Sequence, residues 1–269
     1  MALPTPSPTA TAVVTGASSG IGVDLARELA GRGHGVTLVA RREDRLRELA
    51  AELGERVRVE VIAADIADAA ARADLFAEVQ RRGLTVDVLV NNAGLGTIGA
   101  VVDSTPEAEI AQVRVNVEAV IDLCTRAVAQ MEPRGRGAIL NVGSTAGFQP
   151  FPGQAGYAAT KAFVRSYTDG LRAELAGTGV TVAALHPGPV RTEFLQTAGM
   201  DERTFADAFP KFMWVSSPAV AKAGIDALAS DRGSAIPGLP NQISAKIFEV
   251  LPRRVLLPLL RSQHPALRK

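Results

Sequence analysis

TAVVTGASSGIGVDLARELAGRG, residues 11–33, joins a β-branched run, a glycine-rich turn and an amphipathic segment without interruption. Apolar or small side chains recur at Ile21, Leu25, Ala26, Leu29 and Ala30, the spacing of a helix with one buried face. A strand that turns through Gly16, Gly20 and Gly22 into a helix leaves unpaired N–H groups at the helix start, where backbone can approach an anion closely. Glycines also gather where a strand simply reverses. The spacing, G-x-x-x-G-x-G, differs from the common G-x-G-x-x-G fingerprint, and position and pattern together favour a pyrophosphate.

Outward from this unit the same alternation repeats. Strands are predicted at GVTLVA, VRVEVIAA, VDVLVNN, GAILNVGS and VTVAALHPG, with a short late one at SAIPG, and helical patterns fall at about 43–53, 68–82, 106–132 and 155–177. Regular β-α alternation predicts an α/β fold: one Rossmann-type, doubly wound parallel sheet of about seven strands with helices on both faces. Residues 1–10, rich in proline, are expected to form a flexible lead-in, and 11–269 a single domain ending in a helical tail over 240–264. That tail contains KIFEVLPRRVLLPLL, where Arg253 and Arg254 interrupt the apolar run and Pro252 and Pro258 are expected to break the helix, so no membrane span is predicted.

Composition removes several function classes. With 29 basic against 28 acidic residues there is no overall field to recruit nucleic acid. One cysteine, Cys124, excludes an internal disulfide framework, and His34, His186 and His264 lack metal-ligand spacing, so no metal is expected. The cysteine usage and the absence of a secretory signal at the start point to the cytoplasm.

Chemistry concentrates in a few places. Gly16-Ala-Ser18-Ser19-Gly20 also fits the G-x-S-x-G nucleophile elbow, which would make Ser18 a hydrolase nucleophile with a late histidine as base; an elbow, however, normally follows several strands, not one. After the second strand the chain reads LVARRED, and a guanidinium at Arg41, with Arg42 beside it, suits a ribose 2′-phosphate, favouring NADP(H) over NAD(H). The bland alternative is a solvated helix start with charge pairs. Tyr157 and Lys161 stand four apart in YAATK, on one helix face, where an ammonium is expected to lower the phenol pKa and make it an acid/base near neutrality. Ser144, at the end of a predicted strand, can hydrogen-bond a reacting oxygen, and Asn116 is polar among valines, fitting either a helix kink or a bound water.

Taken together, TGASSGIG, NNAG at 91–94, Asn116, Ser144, YAATK and PGPVRT at 187–192 resemble the short-chain dehydrogenase/reductase family in order and spacing over about residues 11–193. The later chain looks like the bacterial DltE-like subgroup of oxidoreductases. The resemblance implies that Tyr157 donates or accepts the proton, Lys161 tunes it and binds the nicotinamide ribose, Ser144 holds the reacting oxygen, and Asn116 anchors a relay water. It further implies cofactor contacts at Gly16, Ser18, Ser19, Gly20, Ile21 and Gly22, at Asp65 and Ile66 near the adenine, at Asn92, Ala93 and Gly94, and at Pro187, Gly188, Val190 and Thr192, in a homodimer or homotetramer. The expected activity is NADP(H)-dependent interconversion of a carbonyl and an alcohol. A sensor of the same fold with little turnover is the alternative.

Five of the twelve aromatic residues, Phe194, Phe205, Phe209, Phe212 and Trp214, fall in one interval after PGPVRT, interspersed with Asp201, Glu202, Arg203, Asp207 and Lys211. An amphipathic lid over 194–217, selecting an apolar substrate, is expected, against the simpler reading of a locally packed helix.

Overall fold

A computed structural model of the chain describes residues 3–198 and 209–263. Each β-branched run becomes a strand, and each amphipathic stretch a helix that returns the chain to the same sheet edge. In order these are β1 (Ala10–Thr15), α1 (Gly20–Gly31), β2 (Val36–Ala40), α2 (Glu43–Leu53), β3 (Val59–Ala63), α3 (Ala69–Arg81) and β4 (Thr85–Asn91). They continue as α4 (Pro106–Val113), a π-helical turn (Arg114–Glu118), α5 (Ala119–Met131), β5 (Gly137–Val142), α6 (Ala155–Glu174) and β6 (Val180–Leu185). The remainder comprises α7 (Phe194–Thr197), α8 (Ser217–Ala229), β7 (Ser234–Ala235), α9 (Leu239–Val250) and α10 (Arg253–Gln263).

The seven strands form one parallel sheet in the order β3-β2-β1-β4-β5-β6-β7, the Rossmann-type arrangement that the alternation predicts. Successive side chains of each strand point to opposite faces, so both faces need cover. Ala12, Val14, Leu38 and Leu140 meet α1, α2 and α8 on one side; Val13, Val39, Leu89 and Ile139 meet α3, α5 and α6 on the other. A leucine such as Leu140, with none of its surface exposed, contributes about 1.5–3 kcal/mol by burial alone. Arg72 and Asp122, 2.7 Å apart, tie α3 to α5 where the helices turn away from the sheet.

Two expectations are corrected. Residues 3–10 are not a loose lead-in: Leu3 packs on the core, Pro4 is buried, and Thr5 O accepts from Arg136 Nη2 at 2.8 Å. Proline stiffness lowers the entropy lost in holding such a segment against the body. Pro252 does separate two helices, but Pro258 sits inside α10, whose packing through the buried Leu256 and Leu260 carries the helix past one missing backbone bond.

Candidate functional site

Strand order reverses between β1 and β4, so the loops leaving their C-terminal ends diverge and open a crevice. A cleft of about 560 Å³ fills it. Every residue anticipated for catalysis or cofactor contact lines this cleft except Gly22 and Asn116, which stand behind its wall.

The glycine turn is tight because nothing larger fits. Gly16 and Gly20 have φ of +67° and +56°, and a Cβ on Gly22 would collide with Gly16 O. Asn92 locks the turn from the side: its Nδ2 donates to Thr15 O at 2.9 Å and Gly16 O at 3.2 Å, while Thr15 Oγ1 accepts from the backbone N–H groups of Asn92 and Ala93 at 3.0 and 3.1 Å. Ser19 caps α1 with extended backbone and no side-chain bond to the helix. The first N–H groups of α1 therefore keep no side-chain cap, a donor set that fits a diphosphate.

The two arginines differ. Arg42 reaches across the mouth of the cleft, donating to Ser18 Oγ at 3.3 Å and pairing with Glu193 at 2.9 Å. Arg41 is exposed, lines the cleft, and makes no ion pair or hydrogen bond among the described residues. Ser18 thus meets a guanidinium, not an imidazole. His186 is buried against Phe148, with ring centres 5.0 Å apart, and burial pushes its pKa down to about 3; His264 lies outside the described residues. The hydrolase reading has no base among the described residues.

Helix α6 places Tyr157 and Lys161 on one face, toward Ser144, which caps the turn after β5 by accepting from Ala146 N at 3.1 Å. Lys161 Nζ donates to Val142 O at 2.8 Å and lies 5.8 Å from the centre of the Tyr157 ring. The expected lowering of the phenol pKa is absent. Burial pushes Tyr157 up to about 12, with a Ser144 hydrogen bond opposing, and burial brings Lys161 down to about 8. Enclosure penalises the charged form of each group.

Asn116 is fully engaged by protein. Its Nδ2 donates to Leu95 O at 2.8 Å and to Thr160 Oγ1 at 2.9 Å, and its Oδ1 accepts from Leu95 N at 2.9 Å. Thr160 in turn donates to Tyr157 O at 2.8 Å. The π-helical turn that contains Asn116 is the kink that the sequence left open. Asp65 accepts from Ala67 N at 2.9 Å and holds its loop at the cleft edge.

Sequence reasoning missed several lining residues. Gln149, Phe151 and Gln154 follow Ser144 without any pattern. From α9 come Asn241, Ser244 and Phe248. Asn241 is wholly buried behind Gly188, donating to Met213 O and Pro237 O, both at 2.9 Å. Of the aromatic segment, Phe194 and Phe209 line the cleft, with Phe194 centred 5.5 Å from the Tyr157 ring. Phe212 is 69% exposed, and Trp214 lies under the Arg191 guanidinium at 5.5 Å. Phe205, Asp201, Glu202, Arg203 and Asp207 lie outside the described residues.

This sheet order, with its crevice at the reversal point, defines a doubly wound α/β protein of the Rossmann type. Residues 10–203 match the family model described as short chain dehydrogenase, and the chain belongs to that family, whose members are oxidoreductases acting on CH–OH groups. It is 37% identical to sulfoacetaldehyde reductase 2 of Chromohalobacter salexigens over 73% of this chain and 79% of that protein. A short-chain dehydrogenase from Sphingobium yanoikuyae, solved in complex with NADPH, superposes with a TM-score of 0.79 at 34% identity, covering 93% of this chain and 95% of that one. The bulky-bulky ketone specific alcohol dehydrogenase from Comamonas testosteroni gives a TM-score of 0.75 at 30% identity, with 94% and 95% covered.

Proposed function

We propose that this protein is an NADP(H)-dependent oxidoreductase that interconverts an apolar ketone or aldehyde and its alcohol. One observation carries the reading: Ser144, Tyr157 and Lys161 line the same cleft as Phe151, Phe194, Phe209, Met213 and Phe248, with the Phe194 ring centred 5.5 Å from that of Tyr157. Relatives named for sulfoacetaldehyde and for bulky ketones bracket the substrate range, and this apolar lining favours the latter.

The residues fit a dinucleotide. The turn from Gly16 to Gly22 with Ser18, Ser19 and Ile21 would hold the diphosphate, Arg41 a 2′-phosphate, Asp65 and Ile66 the adenine side, and Asn92 to Gly94, Lys161, Pro187, Gly188, Val190 and Thr192 the nicotinamide half. When bound, this cofactor supplies or accepts the hydride. Ser144 then orients the substrate oxygen, and the Tyr157 O–H gives that oxygen its proton during reduction; in the reverse direction the Tyr157 oxygen takes it back. A phenol with a pKa of about 12 is neutral at physiological pH and so is loaded as the donor. Asn116, through Thr160, fixes the backbone under Tyr157. The lid expected over 194–217 lies partly outside the described residues; of those described, Phe194 and Phe209 line the cleft and would help exclude water from the reacting atoms.

The test is NADPH consumption against a panel of carbonyls in wild type and Tyr157→Phe. Turnover is expected to fall by at least about 100-fold in the variant with NADPH affinity kept. A variant that retains near-wild-type kcat on a good substrate rejects the assignment.

A further inference from the structure

Helix α9 carries two unlike faces. Asn241, Ser244 and Phe248 look into the cleft, and Ala245 is buried between them. A polar outer face would be ordinary for such a helix. Instead Leu239, Ile243, Ile247 and Val250 share the outer side and are exposed by 66%, 51%, 49% and 79%. Val255 and Leu257 on α10 and Phe212, whose neighbour Met213 is bonded to Asn241, are exposed as well. Scattered exposed apolar residues need no explanation, but four along one face of a helix mark an interaction surface.

The charge around the patch identifies what it faces. Residues 236–269 hold six Lys or Arg and a single acid, Glu249, whereas the rest of the chain holds 23 basic against 27 acidic residues. Glu249 is already paired with Arg165. Lys246 is exposed on the apolar side of α9, Arg253 and Arg254 are exposed at the start of α10, and Lys211 is exposed beside Phe212. Among the described residues no helix is long and apolar enough to cross a membrane.

We propose that the outer face of α9, with α10 and Phe212, is a docking surface for an anionic lipid bilayer, lying in the headgroup boundary without spanning it. Apolar side chains flanked by cations whose aliphatic stems lie along the interface are what such a surface requires. A second copy of the chain fits less well. A two-fold contact through this face would bring Lys246, Arg253 and Arg254 toward their own counterparts with no free acid between them, whereas each cation gains near an anionic leaflet. Because the inner face of α9 lines the cleft, the docked helix would separate bilayer from cleft by its own width. This inference stands whether or not the proposed carbonyl chemistry is right.

The experiment is co-sedimentation of the full chain with vesicles of phosphatidylcholine alone and of phosphatidylcholine with phosphatidylglycerol in equal parts. Partitioning is expected to rise by about tenfold or more with the anionic lipid and to fall as salt is added. Ile243→Ser with Ile247→Ser, and separately Lys246→Glu with Arg253→Glu and Arg254→Glu, are each expected to abolish it, with an unchanged far-UV spectrum and thermal midpoint showing that the variants fold. Absence of binding to the anionic vesicles overturns the proposal. So does binding that neither variant set weakens. A wild-type dimer in sedimentation equilibrium that Ile243→Ser dissociates, with no vesicle binding, would assign the face to a second copy.

Discussion

Lys161 keeps its amine in a nearly closed environment with Val142 O as its hydrogen-bond acceptor, so its protonated form is costly in the folded chain. Its pKa falls from 10.5 to about 8, which means that the unfolded chain binds more protons between these values and stability rises with pH across that window. Below the window both states are protonated and the full cost is present. Relative to Lys161→Met, wild type should therefore gain about 1–3 kcal/mol between about pH 7.5 and pH 10, measured by urea midpoints. A constant difference would show that Lys161 titrates as if exposed. The Tyr157–Lys161 pairing was legible, because helix periodicity alone puts residues four apart on one face. The sign of its electrostatics was not, because desolvation depends on β5 and the loop after it closing over α6. The arginines divide similarly. Position after β2 marked both, while only the fold shows Arg42 committed to Ser18 and Glu193 and Arg41 making no hydrogen bond or ion pair among the described residues. Arg41→Ala is expected to weaken NADP binding by on the order of 1.5–3 kcal/mol while leaving NAD nearly unchanged. An unaltered ratio of the two dissociation constants would remove Arg41 from the site.

At the scale of elements, the π-helical turn Arg114–Glu118 between α4 and α5 carries the buried Asn116. Asn116 satisfies both backbone groups of the half-buried Leu95 and the hydroxyl of the buried Thr160. Asn116→Ala leaves those groups unpaired and is expected to cost about 2–4 kcal/mol in chemical denaturation. Loss below about 0.5 kcal/mol would mean that water replaces the amide without penalty. The sequence exposed Asn116 as an anomaly among valines, but its partner Leu95 is 21 residues away and carries no pattern of its own. Gly188 shows the same limit. Its place in PGPVRT was recognised, yet the reason it must be glycine is Asn241, from α9, whose amide occupies the space a Cβ would need. Sheet, helix order and the glycine turn could be read because they rest on local periodicity. Contacts from α9 could not, because they join segments that only the completed fold brings together.

For the molecule as a whole, the described aromatic residues of the interval after PGPVRT face different ways. Phe194 and Phe209 turn into the cleft, while Phe212 faces out. Amides of residues 194–198 and 209–217 are expected to become more protected with NADPH, and a bulky apolar ketone should exceed a small charged aldehyde in kcat/KM. Strong protection without cofactor, together with no preference for the apolar ketone, would make the interval fixed packing and not a lid. The last feature is the lone thiol. Cys124 is wholly buried in the helix α5 side of the core, held by Asn91 Nδ2 at 3.2 Å, and burial pushes its pKa up to about 12. A thiol so enclosed is inert to alkylating reagents while the sheet is covered, and it reacts only in molecules whose α5 has lifted away. The chain thus contains a built-in clock: the rate at which a thiol reagent reaches one sulfur counts the openings of the core, with no label introduced and no second cysteine to confuse the record.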